Sequence, residues 1–362
     1  MKSIRFIATL IITIFFIPLS VSAQTTTATP TADNLFPNAN LRWVDSVFNT
    51  LSVEEKIGQL MMPRGNYSYE YDTARFNKIV RDYHVGGFVL FRNRPTAQAL
   101  MVNKLQAMSR VPMLIGMDME WGLEMRLDST VRFPYQMTLG AMQGNENLIE
   151  EMGLQLAEQC KRLGIHVNYA PVVDINNNPN NPVINYRSFG ENREKVTSKA
   201  LVYMRGLQKG GIITSAKHFP GHGDTGVDSH ADLPVIPFNR SRLDSLELFP
   251  YRELIKNGLQ GVMIAHLSIP SLDTTKNLAS TMSQKIVTDL LRKDLNFKGL
   301  VFTDAMDMQG AVKFFPEGTA NVKAILAGND ILETFVDVPA AFNAIKKALE
   351  RVKLLNRTLI FE

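Results

Sequence analysis

Three of the six histidines in the chain fall within KHFPGHGDTGVDSH, residues 217–230, beside two aspartates, three glycines and a proline. Histidine and aspartate bind metal ions, and they also move protons. His218 and His222 are four residues apart, the spacing that presents two zinc ligands on one face of a helix. Pro220, Gly221 and Gly223 lie in or beside that span and make a helix through FPGHG unfavourable. The spacing then loses its geometric meaning, and neither a metal site nor a cofactor is expected. Asp228-Ser229-His230 suits proton transfer better. In an extended loop the two side chains fall on one side. The carboxylate can hold one ring nitrogen and leave the other to give or take a proton. Glycines 221, 223 and 226 give the loop freedom to reshape. Alone, the D-x-H pattern is also common on protein surfaces and needs a nucleophile to serve.

Asp304 in LVFTDAMDMQGA is the candidate nucleophile. A carboxylate at the end of a strand, aimed into a pocket, could attack the anomeric carbon of a sugar or stabilise an oxocarbenium ion. The same position could instead cap the following helix, a role that suits Asp307 better.

These residues need elements to hold them. Short apolar runs at 57–62, 87–91, 113–118, 166–174, 213–218, 261–267, 299–304 and 330–333 are bounded by Gly, Pro or Asn and read as strands. Helical periodicity covers 147–163, 193–209, 241–257, 283–295 and 339–355, with Ser241 and Ser283 as expected N-caps. Eight buried strands alternating with helices predict an α/β fold, a single-domain (β/α)8 TIM-type barrel. Arg92, Asp118, Asp174, Lys217, His218, His266 and Asp304 all stand at strand ends, where such a barrel builds its active site. A doubly wound open sheet is the alternative, weakened by the lack of a Gly-rich phosphate loop after the first strand.

The segment KHFPGHGDTGVDSHADLP resembles the signature of bacterial β-N-acetylglucosaminidases of glycoside hydrolase family 3. GGFVLFR, LIGMDMEWGLEMRL, LGIHVNYAPVVDINNNP, VINYRSFGEN, GVMIAHLSIP and AGNDIL follow in that family's order, so the resemblance spans residues 51–333. It implies a retaining glycosidase acting on terminal non-reducing β-linked N-acetylglucosamine, with peptidoglycan fragments as the expected substrate and a glycosyl-aspartate intermediate. Asp304 would be the nucleophile and His230 the acid/base, with Asp228 as its partner. Asp118, Arg126, Arg187, Lys217 and His218 would bind the sugar, and His222 would shape the loop. Arg126 and Arg187 could also serve as loop-bracing salt bridges. A histidine acid/base leaves phosphorolysis open as a side activity. The alternatives are a β-glucosidase or xylosidase of the same family, or a non-catalytic muropeptide-binding barrel. In DMEWGLEMR, Trp121 stands where the family motif has a glycine, and the arginine falls further along. This version is similar to exported members whose barrel is joined to a serine-hydrolase domain, which implies a C-terminal partner domain.

The chain ends set the remaining expectations. Lys2 and Arg5, an apolar run and Val21-Ser22-Ala23 read as a signal peptide over residues 1–23, giving an exported, periplasmic or extracellular protein without stable membrane insertion after cleavage. Thr-rich residues 24–40 read as a flexible leader. The catalytic barrel would occupy 41–362, and the ending NRTLIFE suggests a truncated C-terminus. The 362-residue chain has 39 basic and 35 acidic residues; without Lys2 and Arg5 the balance is 37 to 35, and no basic run suggests nucleic acid. The one cysteine, Cys160, excludes an internal disulfide.

Overall fold

The computed structural model describes residues 35–36, 40–65, 72–335 and 337–358. The expected signal peptide, most of the leader and the last four residues lie outside them. Within the leader stretch, Leu35 is buried and its carbonyl accepts from Gln260 Nε2 at 3.0 Å. Asn40 caps the helix Leu41–Thr50 by accepting from the Trp43 N–H.

Eight parallel strands form a nearly closed barrel. They are β1 Met61–Met62, β2 Gly87–Leu90, β3 Leu114–Met117, β4 Val167–Asn168, β5 Ile213–Phe219, β6 Gly261–Ile264, β7 Leu300–Ala305 and β8 Ile331–Glu333. Strands β2 to β8 pair in sequence order, and β8 returns to β1. An Arg64–Val89 bridge joins β1 to β2.

Side chains alternate along each strand, and the two rows meet different surroundings. Met62, Val89, Val167, Tyr169, Met263 and Phe302 fill the barrel interior, with Leu114, Ile213, Leu300 and Ile331 packed against them. Their odd-step neighbours, among them Phe88, Ile115, Ala216, Val262, Val301 and Leu332, pack outward with the helices in the larger core. Stepping two residues up the inward rows from Ile213 through Ser215 reaches Lys217. The same step from Leu114 through Gly116 reaches Asp118, from Phe302 it reaches Asp304, and from Ile331 it reaches Glu333. The pleat therefore carries a polar layer directly above an apolar one, at the C-terminal strand ends.

Several element boundaries differ from those expected. Residues 57–62 are not one strand. Ser52 and Glu55 form a reciprocal capping box that starts a helix at Val53–Gln59, leaving two residues for β1. Of the 166–174 run only Val167–Asn168 is strand, and beyond Pro171 a single parallel bridge joins Val172 to Lys217. The 241–257 helix is two helices, Arg240–Ser245 and Phe249–Lys256, the first capped by Asn239 rather than Ser241. A π-type helix covers Lys285–Asp294; Ser283 instead donates its hydroxyl to Asp273 at 2.6 Å. Arg193–Lys209 is helical over the expected span.

Candidate active site

A pocket of about 360 Å³ opens at the C-terminal ends of the strands. Asp118, Arg126, Arg187, Lys217, His218, His230 and Asp304 all line it. Asp228 stands behind His230, and His222 also reaches the wall. Seven residues drawn from five separate stretches of sequence thus share one cavity.

A charged lattice organises one side. Lys217 is buried, and its Nζ lies 2.7 Å from Asp118 Oδ1 and 2.8 Å from Glu120 Oε1. Arg126 Nη2 donates to the other Asp118 oxygen at 2.5 Å. Arg187 grips fully buried Glu120 with Nη2 at 2.7 Å and Nε at 3.0 Å, and donates Nη1 to the Val183 carbonyl. Burial by itself would raise both carboxyls, but the cations prevail. Lys217 and Arg126 hold Asp118 far below the usual carboxylate range, and Arg187 and Lys217 bring Glu120 down to about 2. The arginines thus take the salt-bridge geometry while still facing the cavity, and Arg126 Nε remains a buried donor with no partner among the described residues.

Asp174 organises the other side. Its Oδ2 accepts from the His218 ring Nδ1 at 2.7 Å and backbone N–H at 3.1 Å, and its Oδ1 accepts from the His222 N–H at 2.6 Å. Arg187 Nη2, which can only donate, lies 3.3 Å from His218 Nε2. His218 therefore keeps its proton on Nδ1 and offers Nε2 as an acceptor. His222 is bound within its own loop, through Nδ1 to the Thr225 hydroxyl at 2.7 Å and through Nε2 to the Ser229 hydroxyl at 3.1 Å. Burial, with His218 close by, depresses its pKa to about 4.

Asp304 ends β7 one residue before the strand stops, and its Oδ1 accepts from the Ala305 N–H at 2.7 Å. Burial would raise this carboxyl, but the imidazoles around it, His218 foremost, and that N–H hold it below its ordinary value. Asp307 lies two residues before the short helix Gln309–Val312, whose N-cap is Met308. It pairs with Arg64 at 2.7 Å across the barrel mouth. His266 lies behind the site, donating Nε2 to the Ala305 carbonyl and so bracing the end of β7. Arg92 is exposed and lines no part of the pocket.

His230 stands on the loop above, with Nδ1 2.8 Å from Asp228 Oδ1 and a side chain two-thirds exposed. The same carboxylate oxygen accepts the His230 backbone N–H at 2.9 Å. Two of the three glycines in this loop answer to packing rather than hinging. A Cβ on Gly223 would lie 1.9 Å from the Ile175 carbonyl, and Gly221 has φ 147° against the Glu247 side chain. Gly226 alone of the three stands in open space.

Residues 52–360 match the family model described as the glycosyl hydrolase family 3 N terminal domain. The chain belongs to glycoside hydrolase family 3. A family 3 relative from Pseudoalteromonas piscicida, β-hexosaminidase A, is 37% identical over 298 residues, covering 76% of this chain and 50% of that protein. The solved structure of a family 3 β-N-acetylglucosaminidase from Paenibacillus sp. str. FPU-7 superposes with a TM-score of 0.77 at 37% identity, over 83% of this chain and 59% of that one. A β-glucoside phosphorylase structure superposes with a TM-score of 0.80 at 25% identity, over 86% and 57%. This family 3 barrel spans about half the length of the curated relatives it matches.

Sequence reasoning left out Glu120, Asp174 as a site residue, Tyr169 and Glu333. Glu120 sits inside the DMEWGLEMR motif, two residues after Asp118, but nothing local shows that an arginine 67 positions away will claim it. Trp121, noted only as a departure, lines the pocket and packs edge-on against Tyr135, which in turn meets half-exposed Tyr186.

Proposed function

We propose that this barrel is a retaining exo-glycosidase that removes terminal non-reducing β-linked N-acetylglucosamine, with peptidoglycan fragments as the natural source. The observation that supports it best is the shared pocket. Asp304 sits in its wall as a carboxylate, and His230, paired with Asp228, reaches the same space from the loop above. The activities named for the Pseudoalteromonas and Paenibacillus relatives agree with this reading.

In the proposed reaction an Asp304 carboxylate oxygen attacks the anomeric carbon as the bond to the leaving oxygen breaks. His230 Nε2 gives its proton to that oxygen, while Asp228 stabilises the imidazolium through Nδ1–H. In the second step His230 takes a proton from water, whose oxygen displaces Asp304 from the sugar. Asp118, Lys217, Arg126, Arg187 and His218 hold the sugar hydroxyls; their mutual ion pairs fix them before substrate arrives. His230 is exposed, so its loop closes over the bound sugar.

Initial rates of the purified chain on aryl N-acetylglucosaminide, glucoside and xyloside test the assignment. Preference for glucoside or xyloside would move it to the sister activities, and binding without turnover would leave a muropeptide-binding barrel. Phosphorolysis is a second reading, favoured by the likeness to the phosphorylase and by an uncharged imidazole after the first step, which repels an anionic acceptor less than a carboxylate. Sugar 1-phosphate formed in phosphate buffer would establish it. Residues 1–23 support an exported location, checked by N-terminal sequencing of the protein from a cell envelope fraction.

A further inference from the structure

Two polar atoms at the floor of the pocket have no hydrogen-bond partner among the described residues: Glu333 Oε1 and the Tyr169 hydroxyl. Both residues line the cavity and both are buried, at 1% and 0% exposure. Glu333 closes β8 on the inward row, in register with Ala305, the residue after Asp304. Tyr169 follows the end of β4 on the inward row, and its hydroxyl lies over Gly116 of the neighbouring strand β3. A Cβ at that glycine would sit 2.1 Å from the oxygen, so the hydroxyl can be there only because residue 116 has no side chain.

The neighbouring acids are all accounted for. Asp118 and Glu120 share Lys217 and the two arginines, Asp174 holds His218 and His222, and Asp304 accepts from the Ala305 N–H. The two groups interact with each other, but a carboxyl and a phenol hold more donors and acceptors than that one contact uses, and the surplus would be costly in a sealed core. At the floor of a pocket they wait for a ligand. We propose that Glu333 and Tyr169 together read one hydroxyl group of the terminal sugar, which makes Glu333 a specificity-determining residue. The inference rests on the glycosidase reading of the same pocket.

The chemistry of the pair suits a hydroxyl. Burial raises the Glu333 carboxyl well above the ordinary range, and the charges of Asp118 and Asp304 push the same way; Tyr169 and Lys217 oppose them without prevailing. The Tyr169 phenol is likewise held protonated, by burial first and then by Glu333. A protonated carboxyl offers a donor and an acceptor on one group, and a phenol adds another of each. A sugar hydroxyl, itself donor and acceptor, completes such a set. A methyl or hydrogen in its place leaves the pair's remaining donor and acceptor capacity unmet. A carboxylate substituent meets Asp118 and Asp304, with Lys217 already engaged by two acids.

The test compares N-acetylglucosamine with its 3-, 4- and 6-deoxy analogues, by calorimetric binding and as aryl glycosides, on wild type and on Glu333→Met, Glu333→Gln and Tyr169→Phe. Wild type should lose roughly 10- to 100-fold in affinity and in kcat/KM for one analogue at this contact. Glu333→Met should lose a similar factor on the parent sugar and nothing further on that analogue, and Glu333→Gln should recover most of it. An equal loss on every analogue, or none on any, overturns the proposal; both are expected if the pair merely holds a buried water. Should the Met variant not fold, the same one-analogue pattern is required of Tyr169→Phe. Absence of turnover by wild type sinks the glycosidase reading, while the binding measurements still decide the role of Glu333.

Discussion

Asp174, on the loop after β4, holds His218, at the end of β5, by two bonds to a single carboxylate oxygen: 2.7 Å to the ring and 3.1 Å to the backbone. The second oxygen is committed to the His222 N–H. Three N–H donors therefore converge on two acceptor atoms, and this fixes both the tautomer of His218 and the start of the loop that bears His230. Burial would raise the carboxyl, but the two histidines keep Asp174 ionised and below its usual value.

Replacing Asp174 with Asn removes one of those acceptors. The amide oxygen can serve His218 or His222, but its NH2 must then face the other donor. Asp174→Asn should destabilise the fold by about 1–3 kcal/mol, the cost of a buried unmet donor. KM for an aryl N-acetylglucosaminide should rise as His218 loses its fixed orientation. Urea unfolding and steady-state kinetics on the same preparation check both, and an unchanged midpoint would show that the geometry tolerates the amide.

Asp304 and His230 should separate by leaving group. Asp304→Asn should abolish turnover of every aryl glycoside. His230→Ala should slow hydrolysis by roughly 10²–10⁴-fold for poor leaving groups and far less for a nitrophenolate, which departs without a proton. A rate loss in the alanine variant independent of leaving-group pKa would remove His230 from the acid role.

Glu120 is buried between two cations, so Glu120→Ala leaves Arg187 and Lys217 short of a counter-charge. The expected loss is about 3–5 kcal/mol, read from denaturant unfolding at neutral pH. The depressed pKa gives the pH course. The Glu120 contribution is complete above the unfolded value of 4.5 and is lost as pH falls through the folded value of about 2. Wild type should accordingly lose stability faster than the variant between those two limits.

His222 acts in a higher window. Its folded pKa of about 4 lies below the unfolded 6.5, so the unfolded chain binds the extra proton first. Its contribution is complete above pH 6.5 and falls as pH drops towards 4, by up to about 3 kcal/mol. His222→Gln should flatten this slope relative to wild type. The comparison is made as a difference because the raised carboxyl of Glu333 tilts the curve oppositely in both proteins. Parallel slopes for the two would show that His222 titrates normally.

The barrel was legible in the sequence for a local reason. Apolar runs bounded by Gly, Pro and Asn mark where strands begin and end, and a strand's strict two-residue period forces Asp118, Lys217 and Asp304 onto the inward row. Helices were legible over 193–209, where periodicity is sustained, and less so at 57–62. There a capping box turned an apolar run into a helix end, a choice made by Ser52 and Glu55 rather than by hydrophobicity. The same period placed Glu333 inward too, but no local signal said that its carboxyl would lack a partner.

What the chain alone could not decide was who pairs with whom. Lys217 meets Asp118 across 99 positions, Arg187 meets Glu120 across 67, and Asp174 meets His218 across 44. Residue types and strand parity determined which groups enter the barrel mouth. Only closure of the barrel determined their partners and protonation, because both depend on distance and burial, and neither exists until strands distant in sequence stand side by side.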